Sequence, residues 1–147
     1  MTSLTEYQLV PAGPGSRSAV LALLRANELP IIDLDESKAL FACLNNKEVI
    51  GTGGLEFFGD TALLRSISVK KELQKKGIGK FIVLELEKIA KQKGISDLYL
   101  LTTTAEDFFI RLGYRKIDRE NAPIEIKATT EYSFACPSSA GVFRKHL

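Results

Sequence analysis

The sequence predicts an α/β fold with a mixed central sheet, and three observations carry that prediction. Strand-like and helix-like segments alternate along the chain. A β-branched run, LLRSISV, passes through QKKGIGK into a strong helical pattern, KFIVLELEKIAKQ. A further apolar strand, DLYLLT, follows that helix closely. The order read from the chain is β-α-(α)-β-β-β-α-β-α-β-β. The strand–helix–strand unit from 61 to 101 is expected to be a right-handed parallel crossover.

Each element has a local reason. Thr5 to Val10 alternates as a first strand, and Pro11-Ala12-Gly13-Pro14-Gly15 stops it. Ser16 then N-caps a helix from about Arg17 to Asn27, whose Val20, Leu21, Leu23 and Leu24 form the apolar face. Residues 28–38, ELPIIDLDESK, mix apolar and acidic residues with a proline and read as a short helix or a loop. ALFACL, EVIGTGGLEF and TALLRSISV are three strands of an antiparallel meander. Their turns are Asn45-Asn46, where asparagine tolerates the positive φ of a two-residue hairpin, and Gly59-Asp60. Phe81, Leu84 and Ile89 recur at helical spacing up to Lys93, and Gly94 ends that helix. AEDFFIRLG is a short helix closed by Gly113, YRKID is a strand, 121–140 is irregular and partly helical, and GVFRKHL is a last short strand.

The 147 residues suggest one domain with a sizeable core, without internal repeat or low-complexity segment. A hydrophobic fraction of 45% and a charged fraction of 26% are those of a folded soluble protein. The net charge of +2 gives no expectation of a general nucleic-acid binder. No apolar run approaches the roughly 20 residues of a membrane span, and MTSLTEYQLV lacks signal-peptide architecture, so the expected setting is cytoplasmic. Cys43, Cys136 and the one histidine, His146, form no metal-ligand spacing, and no metal is expected.

QKKGIGK, residues 74–80, carries the chemistry. Gly77 and Gly79 let the backbone approach a ligand, and the free N–H groups opening the next helix suit phosphate oxygens. Lys75, Lys76 and Lys80 add long-range attraction. The alternative is an ordinary glycine-bearing turn with solvated lysines. A Walker loop fails, because position 74 is Gln and Phe81 follows Gly79-Lys80; a dinucleotide fingerprint fails because position 82 is Ile.

The pattern that does fit is Q/R-x-x-G-x-G/A, with Gln74, Gly77 and Gly79, after a strand ending at Val69 and opening a long helix. It resembles the acetyl-CoA-binding motif of the GCN5-related N-acetyltransferases (GNAT). The resemblance follows element order over about residues 5–147 and is closest over 61–118. LLTTTAEDFFIRLGYRKIDRENAPIEIKATTEYSFACPSSA further resembles the ArsN branch, the arsenic-resistance-associated N-acetyltransferases, specifically its second subgroup. LRSISV and LLTT are similar to the acetyltransferase domain of bacterial N-acetylglutamate synthases.

The resemblance implies a mixed sheet of six or seven strands with helices on both faces and splayed central parallel strands. It implies direct acetyl transfer from acetyl-CoA to a small amine in a ternary complex, with an arsenic- or phosphorus-containing glutamate analogue as the favoured acceptor class. N-acetylglutamate-synthase-like activity and a catalytically silent acyl-CoA-binding module are the alternatives, and a homodimer stays open. Lys75, Lys76, Gly77, Ile78, Gly79 and Lys80 would hold the pyrophosphate, with Gln74 bracing the loop. Ile67, Ser68 and Val69 would pair with the pantetheine arm, and the Val69 N–H would polarise the thioester carbonyl. Thr102 is expected at the cofactor and Thr103 at the substrate, with Thr104 N-capping the next helix. Glu56 is the candidate base and Arg65 its partner or a substrate-carboxylate ligand; a cross-strand Glu–Arg pair on an exposed face is the alternative. Asp33, Asp35 and Glu36 lie where the family places acceptor-binding helices, or form a solvated acidic loop. Many family members carry a tyrosine where this chain has Phe109, so Phe109 can only pack on cofactor or core, and water or another hydroxyl, Tyr99 or Tyr114, would serve the departing thiolate. Cys136 before Pro137 reads as a small buried hydrophobe; a thiol-based arsenic binder would need Cys43 with it.

Overall fold

A computed structural model describes residues 7–29, 31, 34, 38–129 and 140–147. Its elements are β1 (Tyr7–Pro11), α1 (Arg17–Ala26), β2 (Ala39–Asn45), β3 (Glu48–Phe58), β4 (Thr61–Val69), α2 (Ile78–Gln92), β5 (Asp97–Thr102), α3 (Glu106–Arg111), β6 (Arg115–Ile117), α4 (Ile124–Lys127) and β7 (Gly141–His146). They form one seven-stranded sheet in the order β1-β2-β3-β4-β5-β7-β6. The β4–β5 pair is parallel and the other pairs are antiparallel, so the expected meander and the parallel pairing of the crossover strands are both present.

Two local expectations shift. The β2–β3 turn is Asn46-Lys47, both at positive φ, with Asn45 already paired to Glu48. Ser16 precedes α1 but makes no side-chain cap; its hydroxyl instead accepts from the Gly13 N–H at 3.1 Å. Asp33, Asp35, Glu36 and Cys136 lie outside the described residues.

Helices cover both faces, because period-two strands present alternate residues to each. Ile78, Ile82, Val83, Leu86 and Ala90 of α2 pack with Phe41, Cys43, Leu55, Leu64 and Leu100. On the other face Val20 and Leu24 of α1 meet Leu40 and Ala42. Ala122 and Ile126 cover Leu63, Tyr99, Leu101 and Val142 there. Gly51 and Gly53 let α2 lie close on β3, for a Cβ at either would fall 2.7 Å from an Ile82 or Leu86 methyl.

A bulge positions the site. Thr52 faces Ser68 and Gly54 faces Arg65, so two steps along β3 match three along β4. Ser66 takes up the extra residue at φ +58. The side-chain alternation of β4 is thereby reset: Leu63 and Arg65 face away from α2, whereas Ile67 and Val69 face toward it. Pairing between β4 and β5 ends at Leu63 and Tyr99, although β5 runs on to Thr102 against β7. Beyond Leu63 the two parallel strands part, as the resemblance implied.

Candidate active site

The opening edge of β4 is polar backbone. Lys70 donates its N–H to the Ile50 carbonyl of β3 at 2.9 Å. Ladder alternation therefore turns the N–H and C=O of Val69 away from β3, toward the gap left by β5. Two carboxamides hold the Val69 carbonyl there: Asn27 donates from Nδ2 at 3.0 Å and Gln74 from Nε2 at 3.1 Å. Asn27 Nδ2 also donates to Ser68 Oγ.

The loop then curls through Lys75 at φ +66 and Gly77 at φ +86. Phe81 donates the first bond of α2, to the Gly77 carbonyl at 3.1 Å, and no side chain caps the helix. The N–H groups of Ile78, Gly79 and Lys80 thus have no intrahelical acceptor, and the positive end of the helix dipole lies behind them. This arrangement suits an anion.

A cleft of about 840 Å³ lies between the end of β4, the 74–80 loop, the C-terminal end of α1 and the start of α3. Of the residues the sequence singles out, Ile67, Ser68, Val69, Gln74, Lys75, Gly77, Gly79, Lys80 and Phe109 line it. The others are elsewhere. Lys76 is exposed outside the lining, and the Ile78 side chain is buried in the core. Thr103 is exposed outside the cleft, and Thr102 uses its hydroxyl to accept the Ala105 N–H at 3.1 Å. Thr102, and not Thr104, therefore bonds the turn into α3, while Thr104 lines the cleft.

Glu56 and Arg65 are brought together but do not line the cleft. Arg65 Nη1 donates to Glu56 Oε1 at 2.8 Å, on the sheet face opposite α2. The expected pairing is present, on a buried face and not an exposed one. Neither tyrosine offered as a source of a hydroxyl lines the cleft. Tyr114 is buried and donates to Glu87 Oε2 at 2.9 Å, and burial, then the Glu87 charge, push its phenol upward. Tyr99 lies in the cluster under α4, and burial raises its phenol too.

The cleft also holds residues the sequence reading missed. Asn27 and Leu29 come from the end of α1, Lys71 from the turn after β4, and Phe108 and Arg111 from α3. Lys71, Lys75, Lys80 and Arg111 make its charge positive, against one acidic side chain, Glu28. Asn27 directly follows the last helical residue of α1, which reads locally as a helix stop; only the docking of α1 on β4 gives it another role. Its Oδ1 is buried without a hydrogen-bond partner, an arrangement that costs about 1–3 kcal/mol.

Comparison with known proteins places these features. The model of the Acetyltransferase (GNAT) family matches residues 7–114. An uncharacterised N-acetyltransferase of Chlorobaculum tepidum is 34% identical over 80 residues, 54% of this chain and 51% of that protein. YyaT of Bacillus subtilis is 38% identical over 77 residues, 52% of each. The chain thus spans about half the length of the curated relatives it matches. The fold is shared with N-acetylglutamate synthase from Neisseria gonorrhoeae, solved with coenzyme A and N-acetyl-glutamate, at a TM-score of 0.81, 17% identity, and 96% of this chain against 35% of that one. It is also shared with the PaiA N-acetyltransferase of Thermoplasma acidophilum, solved with coenzyme A, at a TM-score of 0.60, 22% identity, and 88% of this chain against 68% of that one. The family match runs from β1 past the end of α3 and contains both the parted β4–β5 pair and the glycine-bearing loop: this chain belongs to the GNAT family of acetyltransferases.

Proposed function

We propose that this chain is an acetyl-CoA-dependent N-acetyltransferase that acts on the amine of a small amino acid or amino-acid analogue by direct transfer in a ternary complex. One observation carries the reading: the uncapped N–H groups opening α2 and the outward-turned backbone of Val69 meet in a single positively charged cleft. Family membership and the coenzyme A complexes of fold neighbours support it.

In this reading the amides of residues 75–80 hold the pyrophosphate, and Lys75 and Lys80 neutralise its charge with Lys76 acting at longer range. Ile67, Ser68 and Val69 offer backbone to the pantetheine arm. The Val69 N–H donates to the thioester carbonyl oxygen, where charge builds during attack. Gln74, through its bond to the Val69 carbonyl, braces that end of β4. The neutral amine nitrogen forms the new C–N bond, the C–S bond breaks with its electron pair leaving on sulfur, and the proton the amine gives up passes to water, from which the thiolate is protonated in turn. Phe109 forms wall and supplies no proton. Glu56 holds Arg65 in this reading, and Thr102 and Thr103 take no ligand.

For the acceptor we favour a glutamate-like amino acid bearing arsenic or phosphorus. The support is the likeness of residues 100–140 to the ArsN branch; the fold shared with an N-acetylglutamate synthase supports a glutamate-like acceptor more generally.

The test is calorimetric titration of acetyl-CoA into the native protein and a Gly77→Val/Gly79→Val variant. Thiol release is then followed over a panel of amines containing L-glutamate and its phosphorus and arsenic analogues. Micromolar binding lost in the variant, with turnover of one panel member, is the expected result. Absent binding to the folded native protein would sink the reading, and binding without any turnover would make the chain an acyl-CoA-binding module.

A further inference from the structure

The geometry points to the Asn27 carboxamide oxygen as the group that receives the acceptor amine. This rests on the acetyltransferase reading above and adds the acceptor side of the same cleft. Asn27 follows α1 and lines the cleft, with Nδ2 on the Val69 carbonyl at 3.0 Å and on Ser68 Oγ. A carbonyl oxygen only accepts, so the amide nitrogen must be at that end and Oδ1 at the other. Oδ1 is buried and has no partner. Buried acceptors are nearly always paired, so an unpaired one on a residue that borders a ligand cleft is satisfied when a donor of the ligand reaches it with a small side-chain shift.

The two faces of the sheet separate two approaches to Val69. The phosphate loop enters α2 on one face, whereas α1 packs on the other and sends Asn27 to β4 beside Ser68. A thioester held from the α2 side leaves the α1 side to the amine. A neutral primary amine keeps two N–H bonds, and an acceptor for one of them aims the lone pair at the carbonyl carbon. A carboxamide oxygen does so without charge. A carboxylate in its place would favour the ammonium form, which has no lone pair. The charged side chains sharing the cleft are Glu28 beside Asn27, Lys71, Lys75 and Lys80 from the loop region, and Arg111 from α3.

Asn27→Ala and Asn27→Asp test this, with acetyl-CoA as donor and each amine of the panel, L-glutamate first, as acceptor. In Asn27→Ala the Kd for acetyl-CoA is expected to stay within about twofold while KM for the amine rises about tenfold or more. Asn27→Asp keeps an oxygen but adds charge. The acid limb of its kcat profile, which reports the bound amine, is expected to move up by about one pH unit. Should the alanine variant not fold, Asn27→Ser gives the same KM readout. A native KM with an unmoved limb overturns the inference alone. So does a loss of acetyl-CoA affinity that accounts for the whole loss of turnover, since Asn27 would then only brace Val69. A native protein that binds no acetyl-CoA, or acetylates no amine of the panel, overturns the underlying reading and this inference together.

Discussion

Arg65 Nη1 lies 2.8 Å from Glu56 Oε1, with the arginine side chain fully buried and the glutamate side chain 10% exposed. Gly54, opposite Arg65, makes room: a Cβ there would sit 3.3 Å from Arg65 Cγ. The pair joins β3 to β4 just before the bulge at Ser66.

Breaking this pair should therefore act on folding before it acts on binding. Glu56→Ala takes the Glu56 carboxylate from a buried guanidinium that keeps other contacts, among them Arg65 Nε to Ser66 Oγ at 3.3 Å, and losing one such partner costs about 1–3 kcal/mol. The expected outcome is a loss of that order in urea denaturation, with acetyl-CoA affinity unchanged at temperatures where the variant is folded. A stable Glu56→Ala protein with lost turnover would instead return Glu56 to the chemistry.

The two loop glycines should separate in their effects. Gly77 stands at φ +86 with nothing within 4 Å of the Cβ it lacks, so backbone strain alone opposes a side chain there, about 1–2 kcal/mol. Gly79 has an ordinary φ, but its Cβ would meet the Phe108 ring at 3.3 Å. Gly77→Ala is expected to lower stability by about that amount and weaken acetyl-CoA binding, because relief of the strain redirects the loop amides. Gly79→Ala should be closer to neutral in stability and act on binding through a small shift of Phe108. Denaturation midpoints and calorimetry on both variants check the difference.

Cys43 tests the thiol-based alternative. It is fully buried in the α2-side core, and burial pushes its thiol up to about 11 from an ordinary 9.0. A raised folded value means that the native state holds the proton more tightly. The resulting stability is complete below about pH 9 and is lost as pH rises toward 11. In a Cys136→Ser background, iodoacetamide at pH 8 should label Cys43 only as fast as the protein opens. Rapid labelling of the native state, or arsenite protection of Cys43, would restore a thiol role.

Much of this was legible because period-two and helical patterns reflect the residue's own neighbours. The strands of the meander, α2 and its glycine stop all follow from local spacing. The β2–β3 turn slipped by one because Asn45 and Asn46 tolerate positive φ alike, and pairing of Asn45 with Glu48 decides between them. The bulge left no local mark: Ser66, not a glycine, adopts φ +58. Asn27 and Arg111 were missed because their place in the cleft depends on how α1 and α3 dock, which no spacing encodes. The Glu56–Arg65 pair was foreseen, but its burial depends on what covers that face.

Phe109 offers a gain-of-function test. Its ring packs edge-on to Phe108 at 5.0 Å and to Tyr114 at 5.5 Å, is 6% exposed, and still forms part of the cleft wall. Among the described residues, the hydroxyls in that lining belong to Ser68 and Thr104. In Phe109→Tyr a new hydroxyl has two places to go. Directed into the cleft, it can donate a proton to the departing thiolate, and positioned acids contribute about 10²–10⁴-fold where that step limits. Directed into the core, it is an unpaired buried donor costing about 1–3 kcal/mol. Because the ring already borders the cleft, the first outcome is expected: a higher kcat with little change in Tm. A lower Tm with unchanged kcat would mean that the ring belongs to the core alone, and that thiolate departure needs no donor at this corner.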